Sequence, residues 1–187
     1  MNQTQLQTLK TDISANTAQI NGVAIKDLPN NSDSNFAIAT WYSVLNTPDY
    51  WGWRSAVSRE EIYNETGPTG SNWDWTTYKG QGVAEQNAWV QMFMGDSANF
   101  GKLNLRVGIG KIFSGSGAPA TQRDHCLSLG RRKVLRVEKL FGIAVVNPPA
   151  NTGNNAADAR GAATNPDVLG FEGAISGSDV TQARNLP

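Results

Sequence analysis

The chain has 187 residues, with 16 Lys plus Arg balanced by 16 Asp plus Glu, one His and one Cys. That length suits one domain with a real core, and the overall charge favours neither a polyanion binder nor an acidic solvating protein. The single Cys126 excludes an intramolecular disulfide framework and any Cys-rich zinc site.

The start, MNQTQLQTLKTDI, lacks the basic and apolar regions of a signal peptide, and no apolar run approaches the ~20 residues of a membrane span. The expectation is therefore synthesis in a reducing cytoplasm, with no membrane. From Thr4 to about Ala15, Leu6, Leu9 and Ile13 recur at helical spacing, with Thr4 as the N-cap. NGVAIKDLPNNSD then reads as a loop with one extended piece. Ser32 or Asp33 caps a second helix, on which Phe36, Ala37, Trp41, Val44 and Leu45 form the apolar stripe and which Pro48 ends. Tyr50, Trp51 and Trp53 follow in what reads as a short connector.

Ser58 and Glu61 make a capping box, with Val57 and Ile62 as its hydrophobic staple. ETGPTGSNWDWTTYKGQG reads as an irregular loop or small hairpin carrying Trp73 and Trp75. Helical spacing resumes over Val83–Met94, stopped by Gly95, and over Leu103–Phe113. In the latter, Gly108 and Gly110 each cost about 1 kcal/mol relative to Ala, which points to close packing against another backbone. The longest helix is predicted over Ala118–Phe141, with Leu127, Val134, Val137 and Phe141 buried and Gly142 as its C-cap. Residues 145 to 166 are too poor in large apolar side chains to fold alone, whereas the final stretch reads as a docking tail with a last short helix after Ile175, begun at Ser178 or Asp179.

Few constellations carry chemistry. His125 and Cys126 are adjacent and point about 100° apart on a helix, so they do not form a nucleophile and base with each other. Glu60, Glu61, Asp74, Glu85, Glu138 and Glu172 show no motif spacing, although spacing does not rule out a spatial carboxylate pair. GSGAPATQR and RVGIGK match neither a P-loop nor a dinucleotide fingerprint. No catalytic residue, cofactor or metal site is predicted.

The charge is uneven, with Arg123, Arg131, Arg132, Lys133, Arg136 and Lys139 against Asp124 and Glu138 between residues 120 and 142. Arg131, Arg132, Lys133 and Arg136 form the candidate basic surface, for nucleic acid or an acidic partner. Its alternative is the solvated face of an amphipathic helix. The six tryptophans, at 41, 51, 53, 73, 75 and 89, fit a core or an inter-subunit contact better than a sugar platform in a chain that reads as mostly helical. Trp53 is expected as a core anchor with Arg54 as polar cover. Tyr50, Trp51, Trp73, Trp75 and Phe171 are the candidate partner contacts.

An ordered set of segments carries a resemblance: DISANT, NNSDSNFAIATWY, TPDYWGWRSAVSREEI, GVAEQNAWVQMF, LRVGIGKIFSG, RRKVLRVEKLF and GFEGAISGSDVTQAR. Together they cover most of the chain, which resembles a family of tailed-bacteriophage proteins encoded among virion structural genes. After Phe141 the chain departs from the family's short Gly-Thr-rich turn with a longer Asn/Ala-rich stretch. The resemblance implies a non-enzymatic virion component of the neck, tail or capsid surface, and supplies no catalytic residues.

The expected architecture is mainly α: a compact bundle of about five to six helices over 1–142, with an irregular Trp/Gly-rich loop, then a linker and docking C-terminal tail over 143–187. The expected function is a structural component of the virion, made in the host cytoplasm, working as a homo-oligomer with other virion proteins and with weak DNA proximity. The alternative is a carbohydrate-binding or glycan-degrading module using exposed tryptophans.

Overall fold

The computed structural model describes residues 1–187. In chain order the elements are α1 (Gln3–Ala15), β1 (Gln19–Ile20), β2 (Val23–Ala24), a 3-10 turn (Ile25–Asp27), α2 (Ser32–Tyr42), β3 (Trp51–Trp53), β4 (Val57–Ser58) and α3 (Arg59–Asn64). Then come α4 (Trp75–Lys79), α5 (Val83–Met92), β5 (Ser97–Ala98), α6 (Leu103–Ile112), α7 (Ala118–Leu129) and β6 (Arg131–Lys133). The last are α8 (Arg136–Leu140), β7 (Gly142–Ile143), β8 (Asp167–Leu169) and α9 (Gly177–Arg184). With 44% helix and 12% strand, the protein is mixed α/β. This corrects the expectation of a mainly α chain, and its elements do not form one helical bundle.

The chain divides into two compact units, each discontinuous in sequence. Unit 1 comprises Met1–Asp49, Val134–Gly142 and Gly170–Pro187, and unit 2 comprises Tyr50–Lys133 and Ile143–Leu169. The C-terminal segment Gly170–Pro187 belongs with the N-terminal helices.

In unit 1, α9 packs on α2 and α1. Their shared core holds Leu6, Leu9, Ile13, Ile38, Tyr42, Val137, Ile175 and Val180. α1 begins one residue before the expected start because Asn2, not Thr4, makes the capping box, with Gln5. α2 is capped by Asn31, whose side chain accepts from the Ser34 N–H, and it buries a different face from the predicted one. Asn35, Ile38, Ala39 and Tyr42 are buried, while Phe36 is 69% exposed. Asn35 is tolerated inside because it donates to the Asn30 side chain and Thr181 Oγ1 and accepts from Arg184, each within 3 Å. The predicted extended piece is a hairpin, β1 with β2, turned by Asn21 and Gly22, both at positive φ. That pair is the usual choice for a two-residue primed turn.

In unit 2, β3 is the inner strand of a sheet ordered β6-β3-β8-β7. It pairs antiparallel with β6 and parallel with β8. The aromatic run Trp51-Gly52-Trp53 is thus a strand, not a connector. The predicted helix over 118–141 is interrupted after Leu129. A Cβ at Gly130 would lie 2.0 Å from the Phe100 ring, so the position demands glycine. The Gly130 carbonyl accepts from the Arg54 N–H, and the following Arg131–Lys133 leaves helical geometry to pair with β3. Trp73, Trp89, Phe93, Phe100, Ile109, Phe113 and Leu127 fill the core of this unit.

The capping box of Ser58 and Glu61 is present at the start of α3, and Val57 and Ile62 are both fully buried. The helical glycines of α6 do mark close packing. A Cβ at Gly110 would lie 2.7 Å from the Asn151 carbonyl oxygen. One at Gly108 would strike the Met92 side chain, the flexible end of which faces it from α5.

Candidate functional site

Strand β3 organises most of the aromatic and basic residues singled out in the sequence. Across its antiparallel neighbour, Trp51 faces Lys133, Gly52 faces Arg132 and Trp53 faces Arg131. Alternation sends Trp51, Trp53, Arg131 and Lys133 to one face of the sheet, with Gly52 and Arg132 on the other. The two Trp51 and Trp53 environments then diverge.

Trp53 is a core residue. Its indole Nε1 donates to Asn154 Oδ1 at 3.0 Å, and the Arg106 guanidinium lies 4.4 Å from its ring centroid. Arg106 is fully buried. It donates to the Phe100 carbonyl, to the Thr152 carbonyl at 3.1 Å and to Asn154 Oδ1 at 3.1 Å, all neutral oxygens. Burial lowers its pKa to about 10, which leaves it charged at neutral pH. One arginine on α6 therefore fastens the Asn/Ala-rich segment to the strand, and that segment becomes ordered without a core of its own. A Cβ at Gly153, which has positive φ, would meet the Trp53 ring at 2.6 Å.

Trp51 is only partly buried, with the Arg131 guanidinium 6.0 Å from its ring. Arg131 also donates to the Ala163 carbonyl, and burial lowers its pKa despite the Asp124 carboxylate. Arg132 is half-buried and Lys133 exposed. The expected basic stripe is thus an edge strand rather than a helix face, a placement in which charged side chains discourage edge-to-edge pairing. Arg136 belongs to unit 1, where its guanidinium stacks on Trp41.

Tyr50 is half-buried. Its hydroxyl donates to Asp167 Oδ2 at 2.7 Å, and Arg160 donates to the same carboxylate through Nε at 2.8 Å and Nη2 at 2.7 Å. Burial first, then the Asp167 carboxylate, push the Tyr50 hydroxyl pKa well up. This triad spans the start of the strand and the segment before β8, and it satisfies the almost fully buried Asp167.

Trp73 is buried, so its expected role in partner contact is replaced by one in the core, where its ring lies 5.0 Å from Trp89 and 6.0 Å from Phe113. Trp75 is 49% exposed and rests on Tyr63 at 4.8 Å and Trp73 at 5.6 Å. Its ring edge is backed by aromatics and its remainder is in solvent. Phe171 packs against Phe141, 5.7 Å between centroids, in unit 1.

The surface feature that spacing alone did not orient is on α5. The helical spacing of this stretch runs through Val83, Gln86/Asn87, Val90 and Phe93/Met94, and of these Val83, Val90 and Met94 lie on the outside. They are 75%, 44% and 79% exposed, while Trp89 and Phe93 point inward. Val83 and Val90, seven apart, share a helix line, and Met94 follows just past the C-cap Phe93. These apolar side chains have no cover within the chain.

His125 and Cys126 are both buried. His125 Nε2 is 2.8 Å from the Ile62 carbonyl, which only accepts, so Nε2 donates to it, and Nδ1 is hydrogen-bonded with Ser71 Oγ at 3.2 Å. The ring ties α3 and α7 to the loop before Trp73. Burial raises the Cys126 thiol pKa far above its ordinary value, which removes nucleophilic thiolate at neutral pH. No group of three or more His, Cys, Asp or Glu side chains is placed to hold a metal ion, and no helix is long and apolar enough to cross a membrane.

The geometry defines a mixed α/β chain with two hydrophobic cores and apolar and aromatic side chains displayed on unit 2. No protein-family model, curated protein or solved structure matches it.

Proposed function

We propose that the chain is a non-enzymatic structural component of a tailed-phage virion, a head–tail connector, neck or tail-associated protein that assembles in several copies with other virion proteins. The ordered set of phage-like segments supports the class. The observation that carries an assembly role is the exposure of Val83 and Val90 on α5 and of Met94 just past its C-cap, because large apolar side chains displayed together in solvent favour burial against another chain. Contact with DNA through Arg131, Arg132 and Lys133 is a subordinate part of this reading.

Mass spectrometry of purified particles is expected to detect the chain at a fixed stoichiometry, and its absence from particles defeats the proposal. Val90→Lys with Met94→Lys is expected to leave the isolated chain folded while removing it from particles.

The glycan reading now rests on Trp75, the one tryptophan among the exposed large apolar residues. If it holds, Trp75→Ala abolishes binding to cell-surface polysaccharide with the far-UV spectrum unchanged.

A further inference from the structure

Unit 1 contains a cleft of about 660 Å³ lined by Asp12, Asn16, Trp41, Tyr42, Arg136 and Lys139, among others. One wall is built around Arg136. Its backbone N–H is held by the Val44 carbonyl at 3.0 Å, its guanidinium carbon lies 4.3 Å from the Trp41 ring centroid, and Nη1 donates to the Trp41 carbonyl at 3.0 Å. The residue is fixed at the main chain, at the guanidinium over Trp41 and at one terminal nitrogen. Nε and Nη2 have no acceptor within the chain, and Arg136 forms no ion pair.

A guanidinium held flat in this way loses little further freedom on binding, and its planar donors match the two oxygens of a carboxylate or phosphate. Lys139 stands three residues on, on the same side of α8, and lines the same cleft. The acidic residue opposite is already engaged: Asp12 Oδ2 accepts from the Tyr42 hydroxyl, and Asn16 Nδ2 donates to Tyr42 Oη at 3.1 Å. The lining carries Arg136 and Lys139 as its cations and Asp12 as its carboxylate.

We infer that this cleft is a binding site for an oxyanion, a carboxylate or a phosphate group, with Arg136 as its bidentate donor, Trp41 as the platform that holds Arg136 and Lys139 as the second charge. The inference stands apart from the virion reading, since it concerns a small anionic group and not an assembly surface.

The test is a titration of the full chain with inorganic phosphate and, in a separate arm, acetate, following the Arg136 Nε–Hε resonance. Sodium chloride at matched ionic strength is the control. A saturable shift with either anion supports the site, and the arm that responds identifies the oxyanion class. Arg136→Met, which keeps an unbranched side chain but removes the guanidinium over Trp41, is expected to abolish binding measured by calorimetry. Lys139→Gln, at an exposed position, is expected to weaken it about 3- to 10-fold. The inference is overturned by an unsaturable response in both arms, by an equal response to chloride, or by unchanged affinity in both variants.

Discussion

Arg106 is a full charge surrounded by neutral groups, and that shapes what its replacement does. Arg106→Met keeps an unbranched side chain but removes the guanidinium over Trp53; it leaves the Thr152 and Phe100 carbonyls without their side-chain donor and Asn154 Oδ1 with Trp53 Nε1 alone. Buried acceptors stripped of a charged partner cost about 1–3 kcal/mol each before relaxation, so a loss of about 3 kcal/mol is expected in urea unfolding of unit 2. A change below about 1 kcal/mol would show that water replaces the guanidinium. Glycine offers a second residue-scale contrast. Gly161 has φ +75° and a Cβ there would lie 2.1 Å from the Tyr50 ring, whereas Gly22 has φ +82° in open space. Gly22→Ala carries only the left-handed backbone penalty, about 1 kcal/mol. Gly161→Ala adds overpacking against Tyr50 and is expected to cost about 3 kcal/mol, measurable as a much larger drop in Tm.

At the scale of elements, α3 is short enough that its cap matters. Ser58 Oγ accepts from the Glu61 N–H at 3.0 Å and Glu61 Oε2 accepts from the Ser58 N–H at 2.9 Å, while Arg54 pairs with Oε1 at 2.7 Å. Ser58→Ala is expected to destabilise by about 1 kcal/mol. Burial raises the Glu61 pKa, but the Ser58 N–H and Arg54 outweigh it and hold the carboxyl below its ordinary value. A depressed folded-state pKa means the contribution is complete above the unfolded value of about 4.3 and disappears as pH falls through the lower folded value. Stability measured from pH 6 down to pH 2 should therefore fall less steeply in Glu61→Gln than in the parent chain. An identical acid limb in both would assign the effect to other carboxylates.

For the whole molecule, the return of the C-terminus to the N-terminal helices is the organising fact. Ile175, Val180 and Ala183 belong to the core of unit 1 together with Leu9, Ile38 and Tyr42, and Arg184 donates to the Pro29 and Leu28 carbonyls. Termination after Leu169 removes one side of that core. Amide exchange is expected to accelerate to near-unfolded rates across α1 and α2, with protection in α6 and α7 retained, because unit 2 has its own core. Uniform loss of protection would show that the two units fold as one.

Periodicity and local chemistry placed α1, α2, α5 and α6, the capping box at Ser58, the meaning of Gly110 and the docking of the last helix, because these signals act within a turn or two of the chain. Spacing alone did not orient α2 and α5. Phe36 and Asn35 are neighbours, and what puts Asn35 inside is Thr181 and Arg184, about 150 residues away. The exposure of Val83, Val90 and Met94 likewise follows only once Trp89 and Phe93 take the inner face. The strand at Arg131–Lys133 was hidden for a related reason. Gly130 was the local sign of a break, but a charged tripeptide becomes a strand only when β3 offers it a ladder, and β3 is itself held by pairing with β6 and with the distant β8. Short-range forces wrote the helices and their caps. Contacts between residues far apart in sequence chose the buried faces, split one predicted helix into two and a strand, and turned an Asn/Ala-rich stretch with little apolar content into ordered structure, since hydrogen bonds to a buried cation replaced the core it lacks.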